Sequence, residues 1–185
     1  MLIFGNGEFA EVMQTHLNCQ LTVHRRYVKK DEQAFEEAIP QKLIIAIGQK
    51  HRKAIWGEAL KRGFRPSGFV SHMAFIQSNL VQDDCIIFEG NNIQPFAYIM
   101  DNTVLWSGNH IGHHAYIGAH SFITSHVCIG GGAIIGDECF IGMNATVFDH
   151  VKIGNKCIIA AGAVVDRDIP DNHTLSRKGV LVPNG

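Results

Sequence analysis

Residues 105–165 read LWSGNH IGHHAY IGAHSF ITSHVC IGGGAI IGDECF IGMNAT VFDHVK IGNKCI IAAGAV V, and every block of six opens on an aliphatic residue. Carried upstream, the same step reaches Ile99, Ile93, Ile87, Val81 and Phe75, so sixteen consecutive positions from 75 to 165 are apolar. Two residues before them the chain carries mostly small side chains, among them Cys85, Ala97, Thr103, Ala115, Ser121, Val127, Ala133, Cys139, Ala145, Cys157 and Ala163. Positions i and i−2 of a strand point the same way, so each hexapeptide offers one large and one small side chain to a common interior. Gly112, Gly118, Gly130, Gly136, Gly142 and Gly154 follow the aliphatic position, where a chain that turns every six residues gains from a missing Cβ. Three short faces close a triangular coil of 18 residues, which makes 75–165 roughly five coils of a parallel β-helix. Cys85, Cys139 and Cys157 fall in the small inward slot and read as packing residues.

Residues one coil apart lie above one another. Ile86, Val104, Phe122, Phe140 and Ile158 then form an apolar stripe, while the rows Asn92, His110, Cys128, Thr146, Val164 and Tyr98, Tyr116, Ile134, Lys152 are mixed. An apolar stripe on a solenoid calls for a partner surface.

The first 65 or so residues have another pattern. Leu2–Phe4 reads as a strand, Gly5-Asn6-Gly7-Glu8-Phe9-Ala10 as a Gly-x-Gly-x-x-Ala turn, and Glu8–Leu17 as a helix. Gln20–His24 suits a strand, Asp31–Ile39 a helix, Lys42–Gly48 a buried strand, and His51–Arg62 a helix with Ala54, Ile55 and Leu60 inward. This alternation predicts a small Rossmann-like parallel α/β domain over residues 1–68, with a crossing at Ser67–Gln77 into a β-helix domain over 69–185.

The glycine turn follows a strand and opens a helix, the setting in which backbone N–H groups bind a phosphate. An NAD site would place an acidic residue after the second strand, whereas this chain has His24, Arg25 and Arg26, which favours a nucleotide diphosphate. Gly5, Asn6, Gly7, Glu8, His24, Arg25 and Gly48 are the candidate contacts; the alternative is a tight turn that binds nothing.

Composition narrows the classes. The 185 residues carry 16 Lys and Arg against 17 Asp and Glu, a net charge of −1, so no basic surface is set up for nucleic acid or an anionic membrane. No run approaches the ~20 apolar residues of a spanning helix, and the N-terminus lacks the basic start of a secretion signal. Five Cys without a CxxC fit reduced thiols, and a cytoplasmic location is expected.

His110, His113, His114, His120 and His126 cluster in sequence, yet the frame puts His110 on a strand and the others at corners, where they do not converge on a metal. The repeat resembles the hexapeptide-repeat, left-handed β-helix family, and that resemblance supplies both the handedness and the expectation of a homotrimer. The zinc-dependent γ-class carbonic anhydrases of the same helix offer a check: His114 and His150 are two coils apart, but Asn155 stands where their pattern wants a further His. No metal is expected.

A closer resemblance is to bacterial sugar acyltransferases that carry a small α/β domain before the hexapeptide helix. This group holds the sialic-acid O-acetyltransferases and the N-acetyltransferases of nucleotide-linked 4-amino-4,6-dideoxy sugars. The likeness runs through Gly5-Asn6-Gly7, AIG at 46–48 and FVSHMAFI at 69–76 to the last coil. It implies an acetyl-CoA-dependent N-acetyltransferase of a nucleotide-linked amino sugar in surface-polysaccharide biosynthesis. The alternatives are a sugar O-acetyltransferase and a non-catalytic scaffold or nucleotide-sugar-binding subunit.

In that family a corner His begins a His-acid-x-x-Ile-Gly stretch and acts as general base. The match here is His113-His114-Ala115-Tyr116-Ile117-Gly118, which makes His113 the expected base and leaves His114 in the carboxylate's place. An imidazole ordinarily titrates near ~6.5 and can accept a proton from an attacking amine or hydroxyl at neutral pH. The resemblance also implies that acetyl-CoA is lined by Phe122, Gly131, Met143 and Ala161, with Phe122 replacing a common His. Arg177 and Lys178 lie in a C-terminal tail, SRKGVLVPNG, that departs from the family's usual cap.

Overall fold

The computed structural model describes residues 2–5, 8–17, 23–24 and 42–184 and divides the chain into two compact units, Met1–Ser67 and Gly68–Gly185. In the first, β1 (Leu2–Phe4), β2 (Val23–His24), β3 (Lys42–Ile45) and β4 (Arg65–Pro66) form a parallel sheet in the order β2-β1-β3-β4. Ile3, Leu43, Ile44 and Ile45 are all buried, as consecutive apolar residues are when a parallel sheet is covered on both faces. The helix α1 (Glu8–Leu17) buries Ala10 and Met13, three residues apart, and carries Glu8 and Glu11 in its first turn, where they complement the helix dipole.

The helix α2 (Gln49–Lys61) starts two residues earlier than expected and turns a different face inward. Arg52, Ile55 and Ala59 are buried, whereas Ala54 and Leu60 are exposed. A step of three or four from Ile55 passes through 52 and 59, so helical geometry selects those positions despite the charge at 52. Arg52 is accommodated because its Nη1 donates to the carbonyls of Ile45 at 2.7 Å and Ile47 at 3.0 Å, tying α2 to the end of β3. The expected helix at Asp31–Ile39 lies outside the described residues, as do Asn6, Gly7 and Arg25 and the side chain of His24.

The second unit is a left-handed parallel β-solenoid. Two-residue strands recur every six residues and pair with the strand one coil on: Val104 with Phe122, His110 with Cys128, Tyr116 with Ile134. The aliphatic positions from Ile87 to Val165 all point inward and are buried, with the small positions layered between them. Each large side chain so buried contributes about 1.5–3 kcal/mol, and the stacked layers form a continuous core along this unit. Cys85, Cys139 and Cys157 are buried in it; a hydrogen bond with Cys157, and then burial, push the Cys139 thiol well above its ordinary range.

The expected frame fails at its N-terminal end. Phe75 points outward with 61 % exposure, and Ile76 faces the interior in its place, because the chain pairs Phe75 with Asn92 and Ile76 with Ile93, a coil one residue short. Pairing starts at Phe69–Val70 with Ile86–Ile87, at the expected domain boundary, and continues beyond the six-residue frame through Ile169 and Leu175. Regular spacing identifies the middle coils but cannot register end coils of unequal length.

The chain turns at the expected corners, but the left-handed backbone falls two residues after the glycines expected to provide for it. A left-handed residue recurs at sixfold steps: Phe96, Asn102, Gly108, His114, His120, His126, Gly132, Glu138, Asn144, His150 and Lys156 all have positive φ. The glycines after the aliphatic positions serve close packing instead. A Cβ at Gly112 would lie 2.6 Å from the carbonyl carbon of Gly130, and one at Gly142 only 2.4 Å from the backbone nitrogen of Ala161.

The apolar stripe proposed as an open interface is mostly covered within the single chain. Ile86, Val104 and Phe122 are 1 %, 0 % and 7 % exposed, Phe140 is half-buried, and only Ile158, at 43 %, is open.

Candidate active site

The corner that follows strand His110–Ile111 carries Gly112, His113, His114 and Ala115. Ala115 and Gly112 are buried, which anchors the turn, and both imidazoles are exposed. His114 holds the left-handed turn position at φ 58°, so its side chain leaves the backbone in a direction that an ordinary β residue would not give. The two rings meet edge to face at 84°, with Nδ1 of His113 3.1 Å from Nδ1 of His114.

Neighbouring coils fix both residues from above and below. On the preceding coil, Gln94 accepts the backbone N–H of His113 through Oε1 at 2.9 Å, and Phe96 stacks on the His114 ring with centroids 4.9 Å apart at 30°. On the following coil, Gly131 lies directly against the His113 imidazole: a Cβ there would come within 2.8 Å of Cε1 and Nε2. The Gly131 N–H donates to Asp149 Oδ1 at 2.7 Å, and the Gly132 N–H to the His113 carbonyl at 2.8 Å. This corner therefore places a solvent-accessible imidazole over a backbone that has no side chain of its own.

His120 and His126 are separated from it by the geometry of the prism, and His150 stands two coils further along the same corner. His120 turns the next corner, is buried, and has its Nδ1 3.0 Å from Asn102 Nδ2, which donates to it. His126 turns the third corner with its ring over Gly108, His110 is half-buried on a strand, and His150 lies over Gly132. Among the described residues no group of three or more His, Cys, Asp or Glu is arranged to hold a metal ion.

The four residues expected along acetyl-CoA do not share one edge of a single chain. Gly131 belongs to the His113 corner. Met143 and Ala161 are exposed one coil apart on a different corner, linked by the Gly162 N–H donated to the Met143 carbonyl. Phe122 is on a face, its ring packed between Trp106 and Phe140 at centroid distances of 6.4 and 6.0 Å, and so offers little free surface. A further open groove of about 460 Å³, lined by Ile134, Lys152, Asn155, Asp168 and Pro170 among others, contains none of the four.

In the first unit, Gly5 is buried at the end of β1, Glu8 is exposed in the first turn of α1, and Gly48 is exposed as the N-cap of α2. A Cβ on Gly5 would lie 2.3 Å from the Ala46 carbonyl oxygen and 3.1 Å from Ala10 Cβ. Packing alone thus demands glycine at this position, whatever the turn binds. Gln94, Phe96 and Asp149 were not foreseen, although each lies one or two coils of 18 residues from the His113 corner and could have been found by that step.

Comparisons with known proteins agree with this architecture. The family model described as hexapeptide repeat of succinyl-transferase matches residues 132–167. A mutant of perosamine N-acetyltransferase from Caulobacter crescentus, solved in complex with CoA and GDP-perosamine, is 26 % identical, with a TM-score of 0.84 over 95 % of this chain and 92 % of that one. The acetyltransferase domain of PglB from Neisseria gonorrhoeae, solved in complex with acetyl coenzyme A, is 18 % identical, with a TM-score of 0.86 over 98 % of this chain and 97 % of that one. No curated protein matches the chain by sequence.

Proposed function

We propose that the chain is an acetyl-CoA-dependent N-acetyltransferase of a nucleotide-linked amino sugar, with His113 as its general base. The observation that carries this reading is the exposed His113 imidazole seated over bare Gly131 backbone, in a chain of which 95 % aligns with an enzyme solved with CoA and GDP-perosamine.

In the proposed reaction the sugar amine attacks the thioester carbonyl carbon while Nε2 of His113 takes a proton from the attacking nitrogen. The tetrahedral adduct collapses, the carbon–sulfur bond breaks, and the CoA thiolate leaves and takes up a proton. Amide and free thiol are the products, and no covalent acyl-enzyme or metal is required. Base assistance of this kind contributes about 10²- to 10⁴-fold.

Acetyl-CoA is proposed to run along exposed Met143 and Ala161, where Gly142, Gly162 and small side chains leave backbone groups within reach of an amide-rich arm. That corner and the His113 corner are different edges of one prism, so the reading includes a homotrimer in which one copy supplies His113 and Gly131 and its neighbour supplies Met143 and Ala161. Sedimentation should give three times the 20.4 kDa chain mass; a stable monomer at micromolar concentration removes this part. The nucleotide-linked sugar is assigned to the first unit through Gly5, Asn6, Gly7, Glu8, His24, Arg25 and Gly48, on the strength of a glycine turn between a parallel strand and a helix N-terminus.

The deciding experiment is a thiol-release assay with acetyl-CoA against UDP-, dTDP- and GDP-linked 4-amino sugars and their hydroxyl counterparts. Turnover of an amino sugar supports the reading, turnover confined to hydroxyl sugars replaces it with O-acetylation, and binding without turnover across the panel points to a non-catalytic subunit.

A further inference from the structure

We infer that His114 is a positioning residue for His113, acting as a neutral acceptor that fixes the tautomer of the base through one shared proton. The inference deepens the reading of His113 as general base and rests on it. Its ground is the Nδ1 to Nδ1 contact of 3.1 Å between the two rings.

An imidazole nitrogen is either an N–H donor or a lone-pair acceptor, so two facing Nδ1 atoms at this distance hold one proton between them. Only one of the two arrangements leaves a base. When His113 carries the proton on Nδ1 and donates it, its Nε2 presents a lone pair to the attacking amine and His114 is the Nε2–H tautomer. In the reverse arrangement His113 Nε2 is already protonated and can accept nothing. After proton transfer the His113 imidazolium still donates from Nδ1 to His114, a charge-assisted bond made without any charge on the acceptor. Protonating His114 as well sets N–H against N–H and breaks the contact.

His114 is held for this role independently of His113. Its backbone sits in the left-handed turn position, and its ring is stacked on Phe96 of the preceding coil. His113 is held by its own backbone bond to Gln94 Oε1. Tyr98 flanks the corner on the preceding coil and His110 and Tyr116 on its own; Cys128, beside Gly130, Gly131 and Gly132, flanks it on the following coil; Asp149 and His150 lie beyond, with Asp149 Oδ1 taken by Gly131 N–H. No carboxylate bonds either ring among the hydrogen bonds of the described residues.

The test joins an NMR readout with kinetics on the full chain. Nitrogen-15 shifts at neutral pH should assign His113 as the Nδ1–H tautomer in the wild type and as the Nε2–H form, which free histidine favours, in His114→Ala. His114→Ala should lower kcat by roughly 10- to 100-fold, the usual effect of losing an orienting partner, with KM for both substrates nearly unchanged. His114→Glu should restore most of kcat and move the acid limb of kcat/KM to higher pH, because a carboxylate stabilises imidazolium where a neutral ring does not. An Nε2–H tautomer for wild-type His113, or a His114→Glu profile that superimposes on the wild type, overturns the inference. The NMR result needs no substrate: if the tautomer is as expected but His113→Ala keeps full turnover, the pair stands and the base assignment is what has failed.

Discussion

The His113 imidazole lies against the α-carbon of Gly131 one coil further on, so closely that a single added methyl would come within 2.8 Å of two ring atoms. The contact joins the candidate base to a position that sequence reasoning assigned only to the cofactor. Gly131→Ala should push the ring aside, since a side chain yields before backbone does, and leave the solenoid intact. The expected result is a loss of roughly 10²-fold in kcat, the scale set by a misplacement of about 1 Å, with an unchanged melting temperature. Wild-type turnover in this variant would mean that the position of His113 over Gly131 is immaterial to catalysis.

Removing the imidazole altogether is the direct test of the base. His113→Ala should lower kcat by roughly 10² to 10⁴ with little change in CoA affinity measured by calorimetry. His110→Ala should retain near-wild-type rates, because its side chain is half-buried on a strand. A reversal of these effects would move the base to His110.

The first unit calls for a pair of variants that separates packing from binding. Gly5→Val should destabilise or unfold that unit, since its Cβ meets the Ala46 carbonyl oxygen at 2.3 Å. It therefore says nothing about ligands. Arg25→Ala should raise KM for the nucleotide-linked sugar and leave KM for acetyl-CoA unchanged; an equal rise in both would break the division of ligands between the units.

The left-handed corner positions give a prediction that stability alone reads out. At His126, with φ 58°, a Gly should fall within about 1 kcal/mol of wild type, because relief of backbone strain offsets the added freedom of the unfolded chain. His126→Val should cost about 1 kcal/mol or more beyond that, since a β-branched side chain is crowded at positive φ. Thermal melts of the two variants order them, and a more stable Val variant would contradict the corner geometry.

How much of this was legible in the sequence follows from how the interactions are spaced along the chain. The period of six, the inward aliphatic and small positions, β1, α1 and the separation of the histidines onto different corners all depend on residues within one turn of each other, and local spacing is what a sequence records directly. The pairing of Phe75 with Asn92, the inward Arg52 and the covered stripe at Ile86, Val104 and Phe122 were misread for a complementary reason. Each depends on an end coil of unequal length, on carbonyls that happen to lie within reach of a guanidinium, or on what else the chain lays over a face.

The candidate site divides along the same line. The sequence by itself determined that His113 and His114 stand together at a corner of a six-residue repeat. Only the tertiary structure decided that the two Nδ1 atoms meet at 3.1 Å, that Phe96 stacks on one ring and that Gly131 leaves room for the other. The physical reason is that the solenoid brings together residues 17 to 19 apart in the chain, and the directions of their side chains are set by corner torsions, most of all the positive φ of His114, that residue type alone does not specify.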